Sequence, residues 1–396
     1  MSKIKFATTT GLLCFCSTAF SQEDVGIDLG IFELVPTLNA NLGFNDNVSR
    51  SNDKKVDSWF SITQPKLELV NKFDHSSVRL GYQLSKGDYF SSSADDYTDH
   101  LLFASLNYEL NSRNRLKAAV EYEDGHDARG SVYSIGAVNN LSSPDEYKQE
   151  EIDLIYSYGV LSAQARLDLN LNYRNLDYKL NTVDYLIRDR EYRTADATFF
   201  YDIGSATELL IEARIKEIAY EYLPVGDASL DSVESSVLLG AKWESSASTT
   251  GYAKFGYQEK DFDDQARDSF SGVKWQAGII WQPYQRATFE LDTQDETRET
   301  DGEGNFIRRK EVALQWRHQW LERLNSRASV AFGNDAYEGD ASDRKDEVSE
   351  VNLALIYQFK RWLSFDVGYT YSERDSNKQT IDYDQNLYTL TANVSL

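Results

Sequence analysis

Residues 163–174 read Ala-Gln-Ala-Arg-Leu-Asp-Leu-Asn-Leu-Asn-Tyr-Arg. Every second side chain, from Ala163 through Leu167, Leu169 and Leu171 to Tyr173, is apolar. Those between are Gln164, Arg166, Asp168, Asn170, Asn172 and Arg174. In an extended chain successive side chains point to opposite faces, so this stretch is a strand with one apolar and one wet face. The same pattern recurs on either side of it. Val78, Leu80, Tyr82 and Leu84 alternate with Ser77, Arg79, Gly81 and Gln83. Val312, Leu314 and Trp316 repeat it, as do Ala328, Val330 and Phe332, and then Leu363, Phe365, Val367, Tyr369 and Tyr371. The stretch from Trp59 to Val70 is less regular, and its apolar face is expected to switch near Pro65.

The connections say how these strands are arranged. Short polar turns are expected near Asp74, Ser112, Gly159, Gly204, Ser246, Tyr284, Glu322 and Lys360. Between them lie longer connections rich in Asp, Ser, Asn and Gly, such as 45–57, 86–99, 124–147 and 294–305. Short and long alternate without a break. In an up-and-down sheet successive connections lie at opposite ends, so one end carries tight turns and the other long loops. That asymmetry marks outer-membrane barrels, with turns toward the periplasm and loops outside. The count gives a single all-β, transmembrane, antiparallel barrel of about eighteen strands.

The composition agrees. The mean hydropathy is −0.54, and no stretch reaches the apolar length of a spanning helix. A barrel needs none, because only alternate residues face lipid. Lys3 and Lys5 followed by an apolar run to Phe20 read as a secretory signal peptide over residues 1–21, leaving 22–396 as barrel. Both cysteines, Cys14 and Cys16, fall inside it, and Leu13 and Phe15 stand where a lipoprotein signal needs a small residue. The mature chain is therefore expected to hold no disulfide or thiolate site. Loss of the two lysines takes the net charge from −23 to −25, which argues against a nucleic-acid partner. Only 22–31 precedes the first strand, so no N-terminal plug is expected.

Aromatic residues make up 13% of the chain, and their placement is informative. Trp243, Trp281, Trp320 and Trp362 each sit beside an expected short turn, as indoles do where hydrocarbon meets headgroup. Tyr122, Tyr173, Tyr257, Tyr337 and Tyr371 fall near the opposite strand ends and are expected to form the second band. A soluble sandwich or propeller has no reason to band its tryptophans in this way.

Residues out of phase with the apolar face are the candidates for a wet lumen. They include Arg79, Gln83, Arg166, Asp168, Arg174, Glu212, Arg214, Lys254, Gln276, Glu290, Arg309, Gln315, Arg317, Asp366 and Thr370. Charges of both signs set ion selectivity, while amides and hydroxyls hold sugars weakly. For any single residue, charge pairing across the wall is the plainer account.

The longest loop, 124–147, is the candidate constriction, through His126, Arg129, Asp145 and Tyr147. Asp124 and His126 would share a strand face and raise an enzymatic reading. With four histidines in all and no serine in a nucleophile setting, no catalytic set is assigned, and no cofactor or metal is expected.

Three acidic clusters mark the loops: Asp261, Asp263, Asp264 and Asp268; Asp292, Asp295, Glu296, Glu299, Asp301 and Glu303; and Asp335, Glu338, Asp340, Asp343, Asp346 and Glu347. They lack the ordered spacing of a calcium loop. They are expected to be solvated and self-repelling, with cation bridges to lipopolysaccharide as the alternative.

The last residues, Tyr388, Leu390, Ala392, Val394 and Leu396, alternate up to the carboxyl terminus, like the signal read by the barrel assembly machinery, with Leu396 in place of the usual aromatic.

Taken in order, several fragments resemble the Putative beta-barrel porin 2 family. They are 35–47 (Val-Pro-Thr-Leu-Asn-Ala-Asn-Leu-Gly-Phe-Asn-Asp-Asn), 126–131 (His-Asp-Ala-Arg-Gly-Ser), 144–147 (Pro-Asp-Glu-Tyr), 316–320 (Trp-Arg-His-Gln-Trp), 361–364 (Arg-Trp-Leu-Ser) and 369–377 (Tyr-Thr-Tyr-Ser-Glu-Arg-Asp-Ser-Asn). The resemblance implies an outer-membrane exit for a secreted exopolysaccharide, acting with a periplasmic polysaccharide export protein. It carries no catalytic set. A general-diffusion or sugar-uptake porin, which predicts a tight eyelet, and a structural or adhesive barrel with a closed lumen are the alternatives.

Overall fold

The structure is a computed structural model that describes residues 26–136, 141–204, 206–246 and 248–395. The expected signal peptide and residues 22–25 lie outside the described residues. A two-residue strand, β1 (Ile27–Asp28), pairs back on β2 (Glu33–Asn45). The remaining strands are β3 (Ser58–Phe73), β4 (Ser76–Tyr89), β5 (Tyr97–Asn111), β6 (Asn114–Asp127), β7 (Asp145–Tyr158), β8 (Ala165–Tyr178), β9 (Arg190–Gly204) and β10 (Thr207–Tyr220). They continue as β11 (Ser232–Ser246), β12 (Thr249–Phe262), β13 (Phe270–Tyr284), β14 (Ala287–Glu299), β15 (Phe306–Leu321), β16 (Leu324–Glu338), β17 (Lys345–Lys360), β18 (Leu363–Ser376) and β19 (Tyr383–Ser395). Each of β2–β19 pairs antiparallel with its sequence neighbours, and β19 pairs with β2, from Leu387↔Asn45 to Ser395↔Thr37. The sheet is therefore a closed barrel of eighteen strands, with β1 as one extra short strand. Closure removes the unpaired edges that an open sheet would present to lipid.

All eight expected short turns are found, the tightest leaving two residues between strands, as at Asp74-His75, Ser112-Arg113 and Arg361-Trp362. Nine longer connections lie at the other end. Several strands run further than the sequence suggests: β6 continues through Asp127 and β14 through Glu299. Pairing persists above the apolar band because backbone groups need partners there too.

Alternation decides which face each residue takes. On β11, Leu239 is 61% exposed and Leu238 only 1%. A row of outward residues runs Leu80↔Ala104↔Val120↔Ile152↔Tyr173 across β4 to β8. The opposite phase gives an inward row, Arg166↔Phe200↔Leu210↔Gly240↔Lys254↔Gln276.

The expected face switch near Pro65 does not occur. The β2–β3 and β3–β4 registers run unshifted from Asn45↔Ser58 to Glu33↔Val70 and from Phe60↔Tyr89 to Phe73↔Ser76. Trp59 and Leu67 both face out, 54% and 53% exposed. The irregular pattern arises because Phe60, on the inner face, is buried against Tyr89 at 5.4 Å.

Candidate functional site

Inward-facing side chains form ladders of paired charge. Arg166 donates to Glu208 at 2.9 and 3.2 Å and lies 4.4 Å over the Phe200 ring. Arg174 stacks over Tyr192 at 4.0 Å, and Lys254 donates to Glu212 at 2.9 Å. Arg214 pairs with Asp196 and Arg317 with Glu290. Arg309 meets Glu311 at 2.9 Å and Asp335 at 3.5 Å, and Arg79 reaches Glu68 at 3.7 Å. Gln83 sits opposite Lys66, and Asp168 opposite Ser157 and Thr198, in the same inward phase. Trp243, Trp281 and Trp320 take the outward phase beside the short turns, and Trp362 lies within one. Tyr337 departs from expectation. It faces inward, is 6% exposed, and lies against the Arg344 guanidinium at 3.9 Å, so it is not part of a lipid-facing band.

The long connection between β6 and β7 turns over the mouth. Arg129, buried, makes a two-point pair with Asp95 at 2.8 and 2.7 Å and donates to the Leu141 carbonyl at 3.1 Å. Gly130 has φ +77°, and a Cβ there would lie 2.4 Å from the Ser49 carbonyl, so only glycine permits the approach to the 46–57 loop. Beyond it Tyr133 crosses toward β8 and β9. Its hydroxyl accepts from Arg190 at 3.1 Å, and its ring meets Tyr178 edge-on at 5.8 Å and Arg188 at 4.3 Å. Burial raises the Tyr133 phenol above its ordinary range. A Cβ on Gly302, between β14 and β15, would sit 3.5 Å from the Tyr133 ring. β14 lies eight strands from β6 in an eighteen-strand ring, so this approach runs across the opening.

The other candidates of that loop are at its base. His126 Nδ1 is 2.8 Å from Asp99, with its ring stacked on Tyr97 at 4.0 Å. Asp145 accepts from Tyr185 at 2.6 Å and Arg188 at 3.1 Å, and the Tyr185 phenol is pushed up to about 12 by burial and by that carboxylate. Tyr147 packs edge-on against Tyr178 at 6.2 Å. Asp124 pairs with Lys179 and not with His126.

A second segment enters the lumen that the sequence reading missed. β13 and β14 pair only from Tyr284↔Ala287 to Gln276↔Gln294. Above that rung β14 leaves the wall while keeping its register with β15. Asp295, Thr297 and Glu299 continue the alternation phase of the outward Phe289 and Leu291, yet they meet the inner wall. Thr297 Oγ1 donates to Glu234 at 2.9 Å, and Asp295 accepts from Gln258 of β12 at 3.4 Å as well as from Arg308 at 2.8 Å. Glu299 accepts from Tyr220 at 3.0 Å and from Lys260 at 2.9 Å. Lys260 is fully buried and also donates to Glu234 at 3.0 Å. Phe306, 2% exposed, closes the fold against Phe262 and Phe270. The upper part of β14 thus folds inside the barrel as the inner arm of the β14–β15 hairpin, while β15 keeps its ladder with β16 up to Phe306↔Glu338.

This corrects the expectation of solvated acidic loops for two of the three clusters. Asp295 and Asp346 are 0% and 1% exposed. Arg344 pairs with Asp346 at 2.6 Å and Glu303 at 2.9 Å, and Lys378 joins Glu303 at 2.8 Å. Asp301 accepts from the Tyr337 hydroxyl at 2.8 Å, and burial pushes its carboxyl up to about 6 against the pull of Arg344. In the first cluster Asp264 accepts from the Ala266 and Ser229 amides. No group of acidic and histidine side chains suited to a metal ion occurs among the described residues.

A closed eighteen-strand barrel with an apolar outer face, a charged inner face and loops turned into its mouth is a porin-like outer-membrane barrel. The chain belongs to the family described as Putative beta-barrel porin 2, whose model matches residues 21–396. No curated protein matches it. Among solved structures it is similar to the FrpB iron transporter of Neisseria meningitidis (F5-1 variant), with 12% identity over 90% of this chain and a TM-score of 0.52. The chain spans 65% of that protein's length. It is similar too to Pseudomonas aeruginosa OccK2 (OpdF), 12% identical over 92% of this chain and 98% of that one, TM-score 0.51. Pseudomonas aeruginosa OpdK, solved with vanillate, gives 12%, 92%, 99% and 0.50. These likenesses are of fold.

Proposed function

We propose that this protein is a passive outer-membrane channel for hydrophilic solutes, of the general-diffusion or sugar-uptake kind. The observation that carries the reading is the approach of Tyr133 to Gly302 across the mouth, which narrows a lumen otherwise wide enough for an aqueous channel. Arg129 and Asp145 anchor one side of this eyelet, and Lys260 with Glu299 the other. Below it the lumen offers arginines stacked on aromatic rings (Arg166 on Phe200, Arg174 on Tyr192), which bind polar solutes weakly and let them pass. Proteoliposomes containing the protein should swell in isosmotic monosaccharide and do so more slowly with longer oligosaccharides. Swelling no faster than that of protein-free liposomes would refute the reading.

A second reading, exit of a secreted exopolysaccharide, is favoured by the eight short turns, which leave the periplasmic end free of long loops for an export protein. Deleting the gene should then move polymer from the cell surface to the periplasm. Unchanged surface polymer removes that reading and leaves the first intact.

A further inference from the structure

Where the upper part of β14 leaves the wall, the outer surface is altered as well. β13 from Phe270 to Trp275 still pairs with β12 up to Lys260↔Phe270, but it has no β14 partner on its other edge. Arg308 spans part of this seam, pairing with Asp295 and donating to the Val273 carbonyl at 3.4 Å. Beside it the outer face is hollowed into a groove of about 520 Å³, a volume in the range of small-ligand sites. Trp275, Val312 and Phe332 supply its apolar lining, and one cation, Lys310, faces four carboxylates, Glu311, Glu347, Glu373 and Asp375, in its charged part.

The depth of this groove in the membrane follows from the strand that carries it. Trp320 marks the turn end of β15, and Lys310 stands ten residues away in the same outward phase. Ten residues of a strand tilted by about 40° rise roughly 25 Å, the height of the apolar band of such barrels. The Lys310 ammonium, which has no carboxylate within ion-pair distance among the described residues, therefore lies at the external headgroup level, with Val312 and Phe332 just inside it. The bare edge of β13 runs at the same height. At that boundary the unpaired backbone groups of β13 offer hydrogen bonds to an occupant with polar groups of its own, which an acyl chain alone cannot take up.

We infer that this seam is a binding site for a phosphorylated saccharolipid of the outer leaflet. One acyl chain lies along Trp275, Val312 and Phe332, and a phosphate meets Lys310. The sugar hydroxyls and amides face the open edge of β13. Glu347 and Glu373 join the same head through a divalent cation, as carboxylates facing phosphate require. A phospholipid with a small head fills the apolar part and leaves the strand edge bare.

The test is native mass spectrometry of the detergent-purified full-length protein, stripped of lipid and then mixed with lipid A or phosphatidylglycerol in magnesium-containing buffer. The inference predicts one lipid A retained per barrel, at least tenfold more strongly than phosphatidylglycerol. Lys310→Glu and Phe332→Ser should each weaken lipid A retention by about tenfold, while Phe199→Ser on the plain wall changes nothing. Heat-modifiable gel migration verifies that each variant is folded, and Lys310→Ala serves where a harsher change does not fold. Equal retention of the two lipids, or retention unaffected by the Lys310 and Phe332 substitutions, would overturn the site.

Discussion

Replacing Lys260 with methionine should release the hairpin that enters the lumen. The side chain is fully buried, and its ammonium is shared between Glu234 on the wall and Glu299 at the tip of β14. Removing one partner of a buried ion pair costs about 3–5 kcal/mol, because the other is left as an uncompensated charge. Here Glu234 keeps Lys216 at 3.2 Å and Thr297 at 2.9 Å, and Glu299 keeps Tyr220 at 3.0 Å. The lower end of that range, about 3 kcal/mol, therefore applies. The wall does not bear this loss, since Lys260 keeps its ladder positions opposite Glu234 and Phe270 through the backbone. It falls on the attachment of the hairpin, whose detached population should rise on the order of 100-fold at tenfold per 1.4 kcal/mol. Single-channel recording of Lys260→Met should show frequent excursions to a higher conductance, and hydrogen exchange across 295–307 should quicken. Lys254→Met breaks a pair that lies wholly on the wall, with Glu212, and should show neither. A folded Lys260→Met barrel with wild-type conductance and exchange would refute the reasoning.

Three further outcomes follow from the same geometry. Asp301 has its carboxyl raised to about 6 in the folded chain, so the proton is held more tightly folded than unfolded. Its stabilising effect is complete below the ordinary carboxylate range and is lost as pH rises through about 6. The protection factors of the 300–305 amides, which remove the intrinsic base catalysis of exchange, should accordingly be higher at acidic than at neutral pH, and Asp301→Asn should flatten the difference. Arg129→Ala leaves Asp95 buried without its partner, and limited proteolysis should then cut within 128–144 while the barrel resists. Ile211→Arg, on the outward face of β10, should cost about 2–4 kcal/mol in bilayer refolding, the range for an arginine facing lipid near mid-membrane.

Much of this architecture is legible in the sequence because a barrel wall has only two environments. Period-two alternation separates them, and the contrast between Asp74-His75 or Arg361-Trp362 and the long loops fixes strand number and direction. What escapes is whatever depends on partners distant in the chain. Phe289, Leu291, Thr293, Asp295, Thr297 and Glu299 pass from apolar to polar, as any strand does on leaving the membrane. Only the end of the β13–β14 ladder shows that this strand turns inward. The acidic clusters misled for a related reason. Composition counts their charges but does not show that Lys378, Arg308 and Lys260 arrive from other elements to neutralise them. Tyr337 sits at the right height for an interfacial band but in the wrong phase, which the alternation of Ala328, Val330 and Phe332 on the same strand implies and its ladder position opposite Ile307 bears out. The length of the loop 124–147 is what singles out Arg129, Asp145 and Tyr147 in the sequence. Tyr133, which makes the crossing, carries no local signal beyond lying in that loop.

The measurement that bears most directly on the central claim is single-channel conductance of the purified wild-type protein in planar bilayers, with neutral polymers of graded size added to the bath. A passive channel narrowed by Tyr133 and the β14–β15 hairpin predicts a small, steady conductance. Small polymers should lower it by entering the pore, and larger ones should leave it unaffected. No conductance, or equal entry of small and long polymers, would contradict the account.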